Sequence, residues 1–517
     1  MIPSIPARAS FQSFLRKCTL DVTLMSKPQQ AVLVASVSIA MLHAVADYIY
    51  FDLKTIQSHI YVALMEICLQ VAIYAIATSK TAGTTRAHVG RSIAILSLAN
   101  MLAASYKALF VVSLAGTPIV SDFTAIFPFA SGAAYSLAPI GDAYSDAIAN
   151  ALYQCGMCVF GQYIPLNEPF IAYLFVAISF VAGEFNQHIL WLTLEIINFF
   201  AAVVLMKTAL KFFLSIQHAW LLPVAYLLLF EVHGIAQQLF KDGIVAFALI
   251  CLFHTYSRYV GKEKAGISFE LLAIFLITLL YNLRSGTLAA IVCLSILNCM
   301  FDRKRWLIHT RILLGGLVAI FLLGNVEGYA NKLSASRTRT TDKAIHGTAA
   351  HLDAQNLTYT TTKENSLFHK LKLHEVTPSN FFYAPVVKGA LYFLLPLPVN
   401  HYVNRADLFH KMSTTIYFIL FPLLLAGIVS ILKNRTREEL YLLAVFGLFV
   451  VLILGAGPML LPRYRIMASP FFLLIAVLGA SRIPLRFAVF ATGICISLLI
   501  TLLLWYDDLY RMVQSIA

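Results

Sequence analysis

Long apolar blocks separated by short polar connectors run through almost the whole chain. Blocks of about 17 to 25 residues match the hydrocarbon thickness of a bilayer. They predict helical spans near 31–51, 58–79, 92–116, 189–206, 217–235, 242–257, 267–283, 286–301, 312–324, 413–433, 440–460, 466–481 and 487–505. The apolar stretch 169–183 is short and 145–164 is amphipathic, so either can cross, dip or lie in the interface. The pattern predicts an all-α polytopic integral membrane protein of about 13–15 transmembrane helices, with one long loop between late helices. It divides the chain into a tail (1–30), a first helix bundle (31–324), the loop (325–412) and C-terminal helices (413–517).

Composition supports the same class. The chain has 517 residues, is 60% hydrophobic and only 12% charged, too small a polar share to cover a soluble protein of this size. Residues 1–30 lack the compact apolar core and small-residue cleavage site of a signal peptide and read as a cytoplasmic tail. The eight cysteines are scattered, mostly within apolar blocks, and the lone CxxC of Cys155 and Cys158 has no second pair beside it. A net charge of +13 in a soluble domain would point to nucleic acid. Here it comes from membrane connectors and the long loop, and no nucleic-acid partner is expected.

Six connectors are basic: KTAGTTRAHVGR (80–91), KTALK (207–211), SRYVGKEK (257–264), FDRKRW (301–306), KNRTRE (433–438) and SRIPLR (481–486). Lys and Arg in short loops stay cytoplasmic. All six share that side if 145–206 crosses an odd number of times. The loop 117–144, Lys241, Arg284, the segment 325–412 and the stretch LLPRYRIMASPFFLL (460–474) then face outward. The long segment carries ten Lys or Arg against six Asp or Glu, which its length permits on the outer side.

Arginine near a bilayer is costly, so it sits at the interface or faces a hydrated cavity. Lys241, Arg284, Arg463 and Arg465 at span ends, with Arg337, Arg339, Lys388 and Arg405 in the loop, are either headgroup anchors or an anion site. Guanidinium groups bind phosphate oxygens in bidentate fashion, which suits a pyrophosphate at the membrane surface. Arg463 and Arg465 leave one short Pro-bounded connector, and the flanks of Arg284 read as a tight hairpin. Asp142 and Asp146 fall on one helical face, fit for a general base, a metal or a sugar, although Asp142 is also a natural N-cap. Glu184 and His188 share that spacing. His346 and His401, among six loop histidines, are further proton-transfer candidates. No nucleotide-binding or nucleophile-elbow signature is present.

The succession LFKDGIVAFALI (239–250), YNLRSGTLAAIV (281–292), KGALYFLLPLPVN (388–400) and LPRYRIMASPFFLLIAVLGA (461–480), with GDAYSDAI (141–148) in the first outer loop, resembles bacterial repeat-unit polymerases of the O-antigen polymerase (Wzy-type) group over about 139–480. The resemblance implies a multi-pass inner-membrane protein with a cytoplasmic N-terminus and a long periplasmic loop. It implies a glycosyltransferase that joins undecaprenyl-pyrophosphate-linked oligosaccharide units into O-antigen, capsule or exopolysaccharide, without metal or other cofactor. Arg284, Arg463 and Arg465 would bind the donor pyrophosphate, with Arg337 and Arg339 placed there by loop position. Flippase and chain-length regulator proteins are the implied partners. The histidine pattern of the related ligases is missing, so the base stays open among Asp142, Asp146, His346 and His401. The rival readings are a transferase using polyprenyl-monophosphate sugars and a lipid-linked-sugar transporter, which would favour broken helices and internal repeats.

Overall fold

The structure, a computed structural model, describes residues 55–78, 86–114, 136–139, 170–214, 216–237, 241–261, 266–284, 287–322, 405–451, 462–484 and 486–498, with Phe393 and a few other single positions. Among them the chain is almost entirely helical. In order the helices are α1 (Ile56–Thr78), α2 (Arg86–Leu114), α3 (Phe170–Ala182), α4 (Gln187–Phe212), α5 (Ile216–Ala219), α6 (Leu221–Leu227), α7 (Phe230–Gln237), α8 (Asp242–Val260) and α9 (Ile267–Leu283). There follow α10 (Leu288–Phe301), the 3-10 turn η1 (Arg303–Arg305), α11 (Trp306–Leu322), α12 (Arg405–Asn434), α13 (Arg437–Phe449), the 3-10 helix η2 (Pro462–Met467), α14 (Ser469–Arg482) and α15 (Arg486–Leu498).

Five helical segments among the described residues are long and apolar enough to cross a membrane: Ile56–Thr78, His188–Phe212, Asp242–Val260, Arg303–Leu322 and Lys411–Asn434. α9, α10, α14 and α15 are shorter apolar helices. Along α1, Ile56, Ile60, Leu64, Ile67 and Val71 are exposed at helical spacing. So continuous an outward apolar stripe is what a lipid-facing helix presents. By contrast α4, α8 and α14 are largely buried, and Ser469–Gly479 of α14 is buried at every position. α12 lies along α14, α4 lies along α1 and α8, and α9 lies along α11.

Two glycines set the α12–α14 distance. A Cβ on Gly479 would stand 2.1 Å from the Leu423 carbonyl oxygen, and one on Gly427 would stand 2.2 Å from that of Ile475. Only hydrogen fits at either position, so the backbones meet directly, the small-residue packing that membrane helices use when no hydrophobic drive separates them from lipid. Around this crossing the rings of Phe393, Tyr417, Phe446 and Phe472 pack with centroids 4.8–6.5 Å apart.

Several expectations change. The block 217–235 is not one span: it is divided into α5, α6 and α7, with breaks at Trp220 and at Leu228–Leu229. Pro223 has no N–H to give the Ala219 carbonyl, which accounts for the first break. Beside the helices, Ser136–Pro139 pairs antiparallel with Glu184–Asn186 as a short two-stranded sheet, β1 and β2. That sheet places Glu184 in a strand and His188 in a helix, so they share no helical face. Asn186 instead caps α4, its Oδ1 accepting from the His188 amide at 2.9 Å. Gly183, at φ +78°, makes the turn between α3 and β2.

α3 has 13 residues. At 1.5 Å per residue it is about 20 Å long, shorter than the bilayer core. Residues 145–164 lie outside the described residues, and so does most of the loop 325–412. Its end is helical, since α12 begins at Arg405 rather than at 413. Phe393 of the same loop is buried in the bundle at 2% exposure.

Candidate functional site

The two ends of the bundle carry different chemistry. α10 separates them: Arg284 precedes it and Asp302 follows it, about 20 Å apart by helix rise. At the Asp302 end, Arg437 donates to the Phe301 carbonyl and lies 3.4 Å from Asp302. There also Arg305 donates to the Tyr259 carbonyl at 3.5 Å, and Arg482 donates to Glu439 at 3.0 Å and to Ser430 at 3.1 Å. Four of the six basic connectors, at 257–264, 301–306, 433–438 and 481–486, therefore meet at this end.

The opposite end gathers Lys241, Arg284 and the η2 connector. Lys241 is the residue before α8, and Asp242 in the first turn sits where a negative charge complements the helix dipole. Arg284 ends α9 in extended backbone. Thr287 closes the hairpin, its amide and hydroxyl both donating to the Arg284 carbonyl, at 2.9 and 2.7 Å. The Arg284 guanidinium pairs with Asp242 and lies over the Tyr464 ring at 4.0 Å, with 17% of its side chain exposed. Tyr464 belongs to η2, so Arg284 is fixed between α8 and the connector that carries Arg463 and Arg465.

Arg465 has gone inward. Its side chain is fully buried. Nε and Nη2 donate to Glu231 Oε2 at 2.9 and 2.5 Å, Nη1 donates to the Thr414 hydroxyl at 2.9 Å, and the group stacks on Tyr417 at 4.6 Å. The second Glu231 oxygen accepts from the Tyr417 hydroxyl at 2.5 Å, and Tyr417 also meets the Ser469 hydroxyl. Glu231 is fully buried as well. Such a pair is stable only with its remaining hydrogen-bonding capacity satisfied, which Thr414 and Tyr417 supply. The expectation that Arg465 faces outward from the connector, as part of an anion site, is therefore revised. Positions two apart on a 3-10 helix stand about 120° apart around its axis, and Arg465 joins α7 to α12 instead of facing outward.

Two further buried contacts between ionisable groups continue the polar layer into the bundle. Glu195 of α4 contacts His233 Nδ1, while Asn198 Nδ2 lies 3.4 Å from the other Glu195 oxygen. His233 Nε2 meets the Leu227 carbonyl at 2.9 Å, and the Tyr106 ring stacks on the imidazole at 3.5 Å. Beyond it, Glu66 of α1 pairs with Lys107 of α2, with His43 at 3.6 Å from Glu66. Ionisable groups are rare and functional by default inside membrane segments. Glu66, Lys107, Glu195, Glu231 and His233 are not among the sequence-derived candidates, although each is a charge or imidazole within an apolar block.

Of the sequence-derived candidates, Arg284 is thus brought beside Lys241 through Asp242 and onto η2 through Tyr464, η2 carries Arg463 in its backbone, and Arg465 of the same connector is turned into the bundle. Arg337, Arg339, Asp142, Asp146, His346 and His401 lie outside the described residues. Among the described residues no group of three His, Cys, Asp or Glu is placed to hold a metal ion. Comparison with protein-family models, with curated proteins and with solved structures yields no match.

Proposed function

We propose that this chain polymerises polyprenyl-pyrophosphate-linked oligosaccharide repeat units into a surface polysaccharide on the periplasmic face of a bacterial inner membrane. The observation that carries the reading is the meeting of Lys241, Arg284 and the η2 connector at one end of the bundle, opposite four basic connectors. Rupture of the sugar–pyrophosphate bond leaves negative charge on the departing phosphate. Cations fixed in a water-poor site stabilise that charge as it forms. Arg284 and Lys241 serve here as phosphate contacts, with Arg463, Arg337 and Arg339 completing the site. Arg465 acts as a positioning residue, holding η2 through Glu231. Removal of the acceptor hydroxyl proton falls to Asp142, Asp146, His346 or His401. The donor lipid, a flippase and a chain-length regulator are the proposed partners.

Deletion should leave single-unit lipid-linked product, and Arg284→Ala should reproduce this with normal protein in the membrane. Mass spectrometry of the lipid-linked pool reads both, and full-length polymer in the deletion strain overturns the proposal. One observation favours a second reading: a helix broken inside the bundle, as α5 to α7 are, is a feature of transporters. Under that reading, purified protein in vesicles moves lipid-linked sugar between leaflets and forms no glycosidic bond.

A further inference from the structure

The Glu195–His233 contact has a proton count that its geometry fixes. Nε2 of His233 faces the Leu227 carbonyl oxygen at 2.9 Å. A carbonyl oxygen only accepts, so Nε2 carries a hydrogen. Nδ1 faces a Glu195 oxygen. That contact requires one more proton, either on Nδ1 beside an ionised carboxylate or on the carboxyl group beside a neutral ring. Both arrangements hold one proton more than an ionised Glu195 beside a neutral imidazole, and both have zero net charge, the form that burial favours.

The second acceptor is structurally special. Leu227 ends α6 just before the Leu228–Leu229 break, so its carbonyl lacks a partner further along the same helix. Two side chains supply one: His233 from α7, and Tyr106 from α2 at 2.6 Å. Tyr106 also stacks on the imidazole with the planes 15° apart, which holds the ring plane, while the contacts to Glu195 and the Leu227 carbonyl set the direction of its nitrogens within that plane. If the proton leaves, the neutral ring has one N–H for two acceptors. It must then point a lone pair at either the carboxylate or the Leu227 oxygen, and one of these contacts is lost.

We infer that Glu195 and His233 form a proton-binding site inside the helix bundle, and that the bound proton fastens the break between α6 and α7. The proton departs to water or hydroxide, and no other bond is made or broken. The surrounding groups are mostly engaged with each other: Lys107 of α2 with Glu66, Glu231 of α7 with Arg465 of η2, and Asp242 of α8 with Arg284. α12 contributes the buried Lys411 and α6 contributes Tyr226, which lies within electrostatic reach of both Glu195 and Glu231. Because Glu231 is two residues from His233 on α7, loosening the break reaches Arg465 and η2. The inference holds whichever function the outer cluster performs.

Amide hydrogen exchange across 221–237 in the full-length protein in nanodiscs, normalised to intrinsic rates over a series of pH values, tests this. In the wild type, opening that releases one proton becomes easier by up to about tenfold per pH unit as pH rises. Glu195→Gln can donate its amide N–H to Nδ1 while Nε2 stays on Leu227, so its normalised exchange should be low and flat with pH. His233→Leu should exchange fast at every pH. If that variant fails to fold, the Glu195→Gln comparison decides alone. Equal pH dependence in wild type and Glu195→Gln, or fast exchange of Glu195→Gln throughout, overturns the inference. Histidine 15N spectra give a second readout, and a His233 ring bearing its only proton on Nδ1 overturns it too.

Discussion

At Arg465 the deciding quantity is the cost of burying a charge. Removing one partner of a fully buried ion pair leaves the other uncompensated and costs about 3–5 kcal/mol, whereas replacing both with apolar groups of similar volume is often neutral. Glu231→Leu should therefore sharply lower the unfolding midpoint in detergent, and Glu231→Leu with Arg465→Met should recover most of the loss. If the double variant is as unstable as the sum of both singles, the pair is not the unit that stabilises η2. The arginine was visible because it interrupts an apolar run. Its partner was not, because Glu231 lies 234 residues away and nothing local couples the two.

At the scale of elements, the glycines make contrasting predictions. Gly479→Val forces a Cβ against the Leu423 carbonyl oxygen and the Gly427 amide, at 2.1 and 2.6 Å, where backbone cannot yield cheaply. It should separate α12 from α14, lower thermal stability and reduce the amount of folded protein. Gly447 of α13 has nothing within 4 Å of an added Cβ. Gly447→Ala should accordingly stabilise by about 0.5–1 kcal/mol through lower backbone entropy in the unfolded chain. A stable Gly479→Val protein would refute the close-packed crossing. Most helices were legible from apolar block length alone, including α1, α2, α4, α8, α9, α10 and α12. The division of 217–235 was only half legible: Pro223 signals one break, but the other rests on Tyr106 and His233, side chains that meet Leu227 only in the folded state.

For the whole molecule, the two ends predict sidedness. In a cysteine-free background, Lys241→Cys and Asn434→Cys should react with impermeant reagents from opposite faces of sealed membrane vesicles. Labelling from the same face would break the topology on which the proposed periplasmic site depends. The sequence by itself determined the helical character and the apolar lengths, because these depend on local composition and the thickness of a bilayer. Only the tertiary structure decided that Arg284 stacks on Tyr464 and that Arg465 is tied to Glu231. It alone decided that the Glu195–His233 contact sits at a helix break. Such pairings join residues tens to hundreds of positions apart, and their energies arise only when packing removes the partners from water.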